Sequence, residues 1–161
     1  MVAEILVLGA GLGGLSTAML LARGGHQVTV LERDPAEPPS AAQAWEAWER
    51  RGINQFRLPH LMLPRWRAQM EQELPEVLDE LTAVGGLRLN MLAMLPETRR
   101  GPLRDGDERF ETVTARRPVL EAAVAAVAGR TPGVTIRRGM AATGLLAEPF
   151  PGTQTPHVRG Y

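Results

Sequence analysis

The 161-residue sequence contains no cysteine and no lysine. The first absence excludes disulfides, thiolate nucleophiles and cysteine-type zinc sites, and leaves the redox compartment open. The second makes all 18 basic residues arginine. It removes the lysine of a Walker-type phosphate loop and any Schiff-base lysine. Acidic residues also number 18, so the formal charge is zero. Nothing in that balance points to nucleic acid or an anionic membrane as a partner. No stretch reaches the ~18 consecutive apolar residues of a membrane span. Glu4 stands where an export signal would carry basic residues, and glycines break the first apolar run. The expected location is cytoplasmic. A hydrophobic content of 44% and a charged content of 22% are ordinary for a globular domain. The length suffices for one modest core.

What is present is concentrated in residues 1–34. Ile5-Leu6-Val7-Leu8 is a short apolar run, the pattern of a parallel strand buried on both faces. It leads into Gly9-Ala10-Gly11-Leu12-Gly13-Gly14, a G-x-G-x-x-G sequence with glycines at 9, 11 and 14. Leu15, Ala18, Met19, Leu21 and Ala22 then recur at helical spacing, and Gly24-Gly25 stops the helix. Val28 to Leu31 is a second strand, closed by Glu32. This is a βαβ unit suited to the ADP half of a dinucleotide. Gly9 serves the tight turn, Gly11 lets a pyrophosphate approach the backbone, and Gly14 lets the helix pack closely on the strands. Free amides and the dipole at the helix start, around Leu12 to Gly14, favour the diphosphate charge. Glu32 lies 18 residues past Gly14 (32 − 14). That is close to the distance of an acid accepting from ribose hydroxyls.

The remainder reads less sharply. Ser40 is placed to cap a helix through Arg50, with Ala44, Trp45 and Trp48 on one side and Arg51-Gly52 as its end. The two tryptophans read as packing, with stacking on a ligand ring as the alternative. Ile53 to Pro64 is irregular, and its polar members are Gln55, Arg57 and His60. His60 has no evident partner and reads as satisfying local backbone. Helices are expected over Arg65 to Glu73 and from Pro75 to Ala83. Glu71, Glu73, Glu76, Asp79 and Glu80 fall mostly away from the leucines, as a solvated face does. Leu87 to Leu95 reads as a strand, and Asp105-Gly106 as a hairpin between Leu103-Arg104 and a run from Arg109 to Thr114. Pro118 suits the start of an alanine-rich helix, Val119 to Ala128. Val134 to Arg137 is a strand, Met140 to Leu146 a second extended segment, Glu148 to Pro156 an irregular stretch, and His157 the start of another strand.

Four stretches together resemble the N-terminal part of a group A FAD-dependent monooxygenase of the para-hydroxybenzoate hydroxylase type. They are VLGAGLGGLSTAMLLARGGHQVTVLERD at 7–34, ERRGINQFRLPHLMLPR at 49–65, TARRPVLEAAVA at 114–125 and GVTIRRGMAATGLL at 133–146. The resemblance implies an α/β fold: a Rossmann-like FAD/NAD(P)-binding βαβ with a small antiparallel sheet inserted, forming a partial FAD-binding domain over residues 1–161. It implies that Gly9, Gly11, Leu12, Gly13 and Gly14 meet the FAD diphosphate. Glu32 would hold the adenosine ribose with Arg33 beside it, Arg117 would reach the FAD from its helix start, and Ala142 would offer backbone to the adenine edge. NAD(P)H would be the reductant, dioxygen the co-substrate and a small organic molecule the substrate. The family's later Asp-Gly and Gly-Asp motifs would lie beyond Tyr161, so a truncated chain is expected. No catalytic residue or metal ligand is assigned. Two alternatives stand beside this reading: an NAD(P)-dependent dehydrogenase domain using the same βαβ, and a non-catalytic fragment without a completed active site.

Overall fold

The computed structural model describes residues 1–50, 52–149 and 156–160. Its centre is a parallel sheet of three strands, β1 (Glu4–Leu8), β2 (Gln27–Glu32) and β6 (Val134–Arg138), with β2 in the middle. Ile5 pairs with Val28 and Val30 with Ile136. Helix α1 (Leu12–Arg23) connects β1 to β2, burying Leu15, Ala18 and Met19. The connection from β2 to β6 runs through almost everything else and ends in α6 (Arg117–Gly129), which packs on α1 and on α4 (Pro75–Ala83). Leu120, Ala123, Val124 and Val127 of α6 meet Val77, Leu78 and Leu81 of α4 in one continuous apolar core.

β1 is not buried on both faces. Ile5 and Val7 pack against the core. Leu6 and Leu8 are 44% and 55% exposed, because no described element covers the opposite face at that strand. The expected insertion is present as a second, antiparallel sheet in the order β3 (Pro59–Leu61), β5 (Glu111–Arg116), β4 (Leu87–Asn90). β7 (Leu146–Pro149) and β8 (Pro156–Gly160) form an antiparallel pair. Most of the stretch expected to be irregular, along with Arg51 at the expected helix end, lies outside the described residues.

Four local expectations fail for identifiable reasons. Helix α2 covers only Ala44–Ala47, and Trp48 is already extended at φ −113° and ψ 129°. Ser40 bonds the side chain of Gln43 at 3.0 Å and caps no backbone amide. Tertiary contacts take the chain away from the helix: Trp48 meets Phe56 edge-on at 5.3 Å, and Arg50 is drawn into buried ion pairs. Within the loop expected to be irregular, His60 and Leu61 pair with Ala115 and Thr114. The strand from Leu87 stops at Asn90, whose side chain accepts from the Leu92 amide at 2.9 Å and starts a 3₁₀ turn over Met91–Met94. An asparagine that caps its own downstream backbone competes with strand pairing in this way. Asp105-Gly106 makes a turn, with Gly106 at φ +90°, but no hairpin with Leu103-Arg104. The Asp107 carboxylate accepts from the Arg104 amide at 2.8 Å, a 3₁₀ turn follows, and β5 pairs with β3 and β4. A fifth difference lies in the segment after β6, where residues 141–145 form no strand.

Helices α3 (Pro64–Glu73) and α4 each begin with proline, whose missing amide costs nothing at a first turn. Their acids are solvated and matched with arginine: Glu71 with Arg67, Glu76 with Arg23, and Glu80 with Arg130 at 2.8 Å.

The tightest constraint in the fold lies at the β1–α1 turn. A Cβ on Gly14 would sit 2.0 Å from the Gly9 carbonyl oxygen and 3.4 Å from Val7 Cγ1. Gly14→Ala must therefore push the helix off the strand. The expected loss is about 1–3 kcal/mol, the usual cost of overpacking, read as a lower midpoint in urea unfolding.

Candidate cofactor site

The turn that leaves β1 builds the site. Gly9 has φ +97°, a backbone conformation that favours glycine, and its amide donates to the Leu31 carbonyl at 2.7 Å. Gly11 is the residue before α1, and no side chain caps the helix start. The first intrahelical bond recorded at this end runs from the Leu15 amide to the Gly11 carbonyl. The amides of Leu12, Gly13 and Gly14 in the first turn are thus the orphan donors of a helix N-terminus. A Cβ at Gly11 or Gly13 would meet nothing within 4 Å, so both open onto free space. The two kinds of glycine are separable here: Gly14 is required by packing, Gly11 and Gly13 leave room for something to approach.

Beside this turn lies a cleft of about 510 Å³. Its walls are the end of β1 with Gly9 and Gly11, the end of β2 with Glu32 and Arg33, the segment carrying Arg50 and Ile53, and the stretch Met140 to Ala142. That last stretch is held in place by backbone, since the Met140 amide donates to the Glu32 carbonyl at 2.9 Å. The fold therefore brings Gly9, Gly11, Glu32, Arg33 and Ala142 to one cavity, with Leu12, Gly13 and Gly14 on the helix turn adjoining Gly11. Arg117 is not brought there. Its Nε donates to Glu121 at 2.8 Å and its Nη1 to the Asn54 carbonyl at 2.9 Å.

Glu32 is buried, yet it is ionised. Burial pushes its carboxyl up, but the Asp34 and Ala10 amides and the Arg50 guanidinium outweigh burial and hold it below the ordinary glutamate value. Oε2 accepts from Ala10 N at 2.8 Å and from Arg50 Nη2 at 2.7 Å, and Oε1 accepts from Asp34 N at 3.0 Å. Arg50 also donates from Nη1 to Glu121 Oε2 at 2.8 Å, and its Nε lies 3.7 Å from Asp34. No sequence pattern marks Arg50 or Glu121 as a site residue. The available signal was a lone glutamate among apolar neighbours in an alanine-rich helix, which needs a buried cation to balance it. His60, on β3, is held below the ordinary histidine value by burial and by Arg117, while Glu121 pulls the other way.

The tryptophans divide. Trp48 is core. Trp45 is half-buried, with the Arg116 guanidinium 4.2 Å and the Arg57 guanidinium 5.4 Å from its ring centroid. Its packing partners are thus arginines.

Two outcomes follow from the ion network. Arg50→Ala leaves buried Glu32 with backbone amides alone and Glu121 with Arg117 as its one described cation, and is expected to cost about 3–5 kcal/mol, the usual effect of breaking a buried pair, measured by chemical denaturation. The Glu32 carboxyl has a lowered value in the fold, so its contribution is complete above the ordinary glutamate range and disappears as pH falls through the folded value. Unfolding midpoints measured from neutral to acid pH should fall more gently in Glu32→Gln than in the parent.

The match with known proteins follows the same geography. The family of FAD-dependent oxidoreductases matches residues 4–148. A stretch of 36 residues is 64% identical to aklavinone 12-hydroxylase RdmE of Streptomyces purpurascens, covering 22% of this chain and 7% of that protein. D-amino acid dehydrogenase of Vibrio cholerae is 35% identical over 96 residues, or 54% of this chain and 22% of that enzyme. Among solved structures, PqsL of Pseudomonas aeruginosa, described as a probable FAD-dependent monooxygenase, superposes with a TM-score of 0.60 at 19% identity. It covers 92% of this chain and 36% of its own. The flavin-dependent halogenase CmlS gives 0.56 at 16% identity, over 88% of this chain and 23% of its own. The structural likenesses establish the Rossmann-like FAD-binding fold, and the chain spans only a minor part of each relative's length. With FAD as cofactor, the NAD(P) alternative for the glycine turn gives way. The chain belongs to the family of FAD-dependent oxidoreductases.

Proposed function

We propose that this chain supplies the adenosine side of the FAD site in a flavin-dependent monooxygenase. That enzyme would act on a small organic substrate with NAD(P)H and dioxygen. The observation that carries the proposal is the cleft, where Gly11, the residue before an uncapped helix start, and an ionised, buried acid line one cavity. In this reading the amides of Leu12, Gly13 and Gly14 hold the diphosphate, with Gly9 shaping the turn and Gly11 leaving the approach open. Glu32 accepts from the ribose, Arg33 flanks it, and Ala142 borders the adenine. Arg117 acts from outside the cleft, through Glu121. FAD supplies the redox chemistry when bound, and these residues bind and orient it. The monooxygenase assignment is supported by the stretch shared with a hydroxylase and by the resemblance of residues 49–65 and 114–125 to group A enzymes. A second reading, a dehydrogenase of amino acids, is supported by the 96-residue likeness to D-amino acid dehydrogenase.

Gly11 offers the clean test. Its φ of −90° suits any residue and a Cβ there meets nothing, so Gly11→Val should fold as the parent does. Its side chain would occupy the approach to the helix start. The parent is expected to give a protein-bound flavin absorption spectrum on addition of FAD, and the variant none. Normal flavin uptake by the valine variant would remove the diphosphate assignment. NADPH oxidation linked to oxygen consumption with candidate substrates, assayed on the FAD-loaded protein, separates the monooxygenase from the dehydrogenase.

A further inference from the structure

Glu121 is 2% exposed on a helix whose other buried positions, among them Leu120, Ala123, Val124 and Val127, are all apolar. An apolar side chain would serve packing there without the penalty of burying a charge. Its two oxygens are divided between two arginines: Oε1 accepts from Arg117 Nε and Oε2 from Arg50 Nη1, both at 2.8 Å. The opposite arm of Arg50 reaches Glu32 Oε2 at 2.7 Å. Glu121 itself does not line the cleft, whereas Arg50 and Glu32 do.

A carboxylate oxygen has room for about two acceptor bonds. Among the described residues, Glu32 Oε2 takes two, from Ala10 N and Arg50 Nη2, whereas Oε1 takes one, from Asp34 N. The remaining acceptor capacity of Glu32 is therefore on Oε1. Which oxygen is left free depends on where Arg50 stands, and Glu121 fixes Arg50 from the far side.

We propose that Glu121, acting through Arg50, is a positioning residue that orients Glu32 so that Oε1 is presented to the ribose hydroxyls of the adenosine. The inference rests on the reading of the cleft as the adenosine side of the FAD site. It makes the discrimination of ribose hydroxyls a property set partly from α6, by a residue that never meets the cofactor. A planar guanidinium can span two carboxylates at fixed separation; a single ammonium cannot do so in the same geometry.

The test compares binding of ADP with binding of its 2′,3′-dideoxy analogue, by calorimetry, in the parent, Glu32→Gln, Glu121→Gln and the double variant. FAD uptake and the circular dichroism of each protein are followed in parallel. In the parent, the hydroxyls should be worth roughly tenfold or more in affinity, as for hydrogen bonds to a charged group. Glu121→Gln should lower that preference toward the value of Glu32→Gln, and adding it to Glu32→Gln should change the preference no further. If Glu121→Gln does not fold, Glu121→Asp takes its place, keeping the charge but drawing it back from Arg50, with the same loss of preference expected. A Glu121→Gln protein that binds both nucleotides more weakly but keeps the parent's preference overturns the inference, because Glu121 is then a packing residue only. A parent that takes up FAD yet shows no preference for the hydroxyls overturns it while leaving the FAD reading intact. A parent that binds neither FAD nor ADP overturns the functional reading, and the inference with it.

Discussion

The guanidinium of Arg50 sits between two carboxylates, Glu32 at the end of β2 and Glu121 on α6, and all three side chains are at most 5% exposed. Burying three charges costs several kcal/mol per ion before any attraction is counted. The arrangement persists because each of the four carboxylate oxygens of Glu32 and Glu121 accepts at least one hydrogen bond. The amides of Ala10 and Asp34 and the Arg117 guanidinium complete the set. A network of this kind is weak evidence for high stability but strong evidence for a defined geometry, since any partial version is worse than none. It joins three parts of the chain far apart in sequence, so the cleft, the central sheet and α6 hold one another in register. The exposed pairs, such as Arg130 with Glu80, do little comparable, because solvent screens them.

The glycine turn imposes the second constraint, and it is steric. Gly14 sits against the Gly9 carbonyl, which brings the start of α1 onto the end of β1. Gly11 and Gly13 contribute nothing to that contact. Their value is the space they leave. One short motif thus answers two demands, helix-to-strand packing and ligand approach. The ion network supplies the third wall of the same cleft through Arg50.

Much of this was legible in the sequence because the first 34 residues satisfy several local rules at once. An apolar run, glycines at the right spacing, a helical period and a terminal acid all point to one structure, and the structure has it. The failures lie where long-range contacts override local preference. The run before Trp48 and Arg50 has a helical pattern, but burial against Phe56 and pairing with Glu32 and Glu121 draw the chain out of the helix. Asn90 and Asp107 redirected two expected strand segments through side-chain bonds to nearby amides. Arg117 was correctly placed at a helix start by pattern, yet its partner is Glu121, which no periodicity identifies. Sequence shows which residues are polar. It does not show which two of them, 71 positions apart, share a buried bond.

The absence of lysine acquires a physical meaning at this point. A chain whose cations are all arginine can build a core ion network of a kind that lysine cannot reproduce. Arg50 uses both terminal nitrogens on different carboxylates, and Arg117 uses Nε on one partner and Nη1 on another. The guanidinium is also less strongly hydrated than an ammonium, so bringing it inside costs less. Its charge is retained at any ordinary pH, and the two glutamates raise it further above its usual value against the effect of burial. Glu32 therefore keeps an ionised neighbour throughout the acid and neutral range. The charge of Glu32, which lines the cleft, is then switched by its own protonation. Because Arg50 and the two backbone amides hold that carboxyl below its ordinary value, the cleft presents a carboxylate across the neutral range.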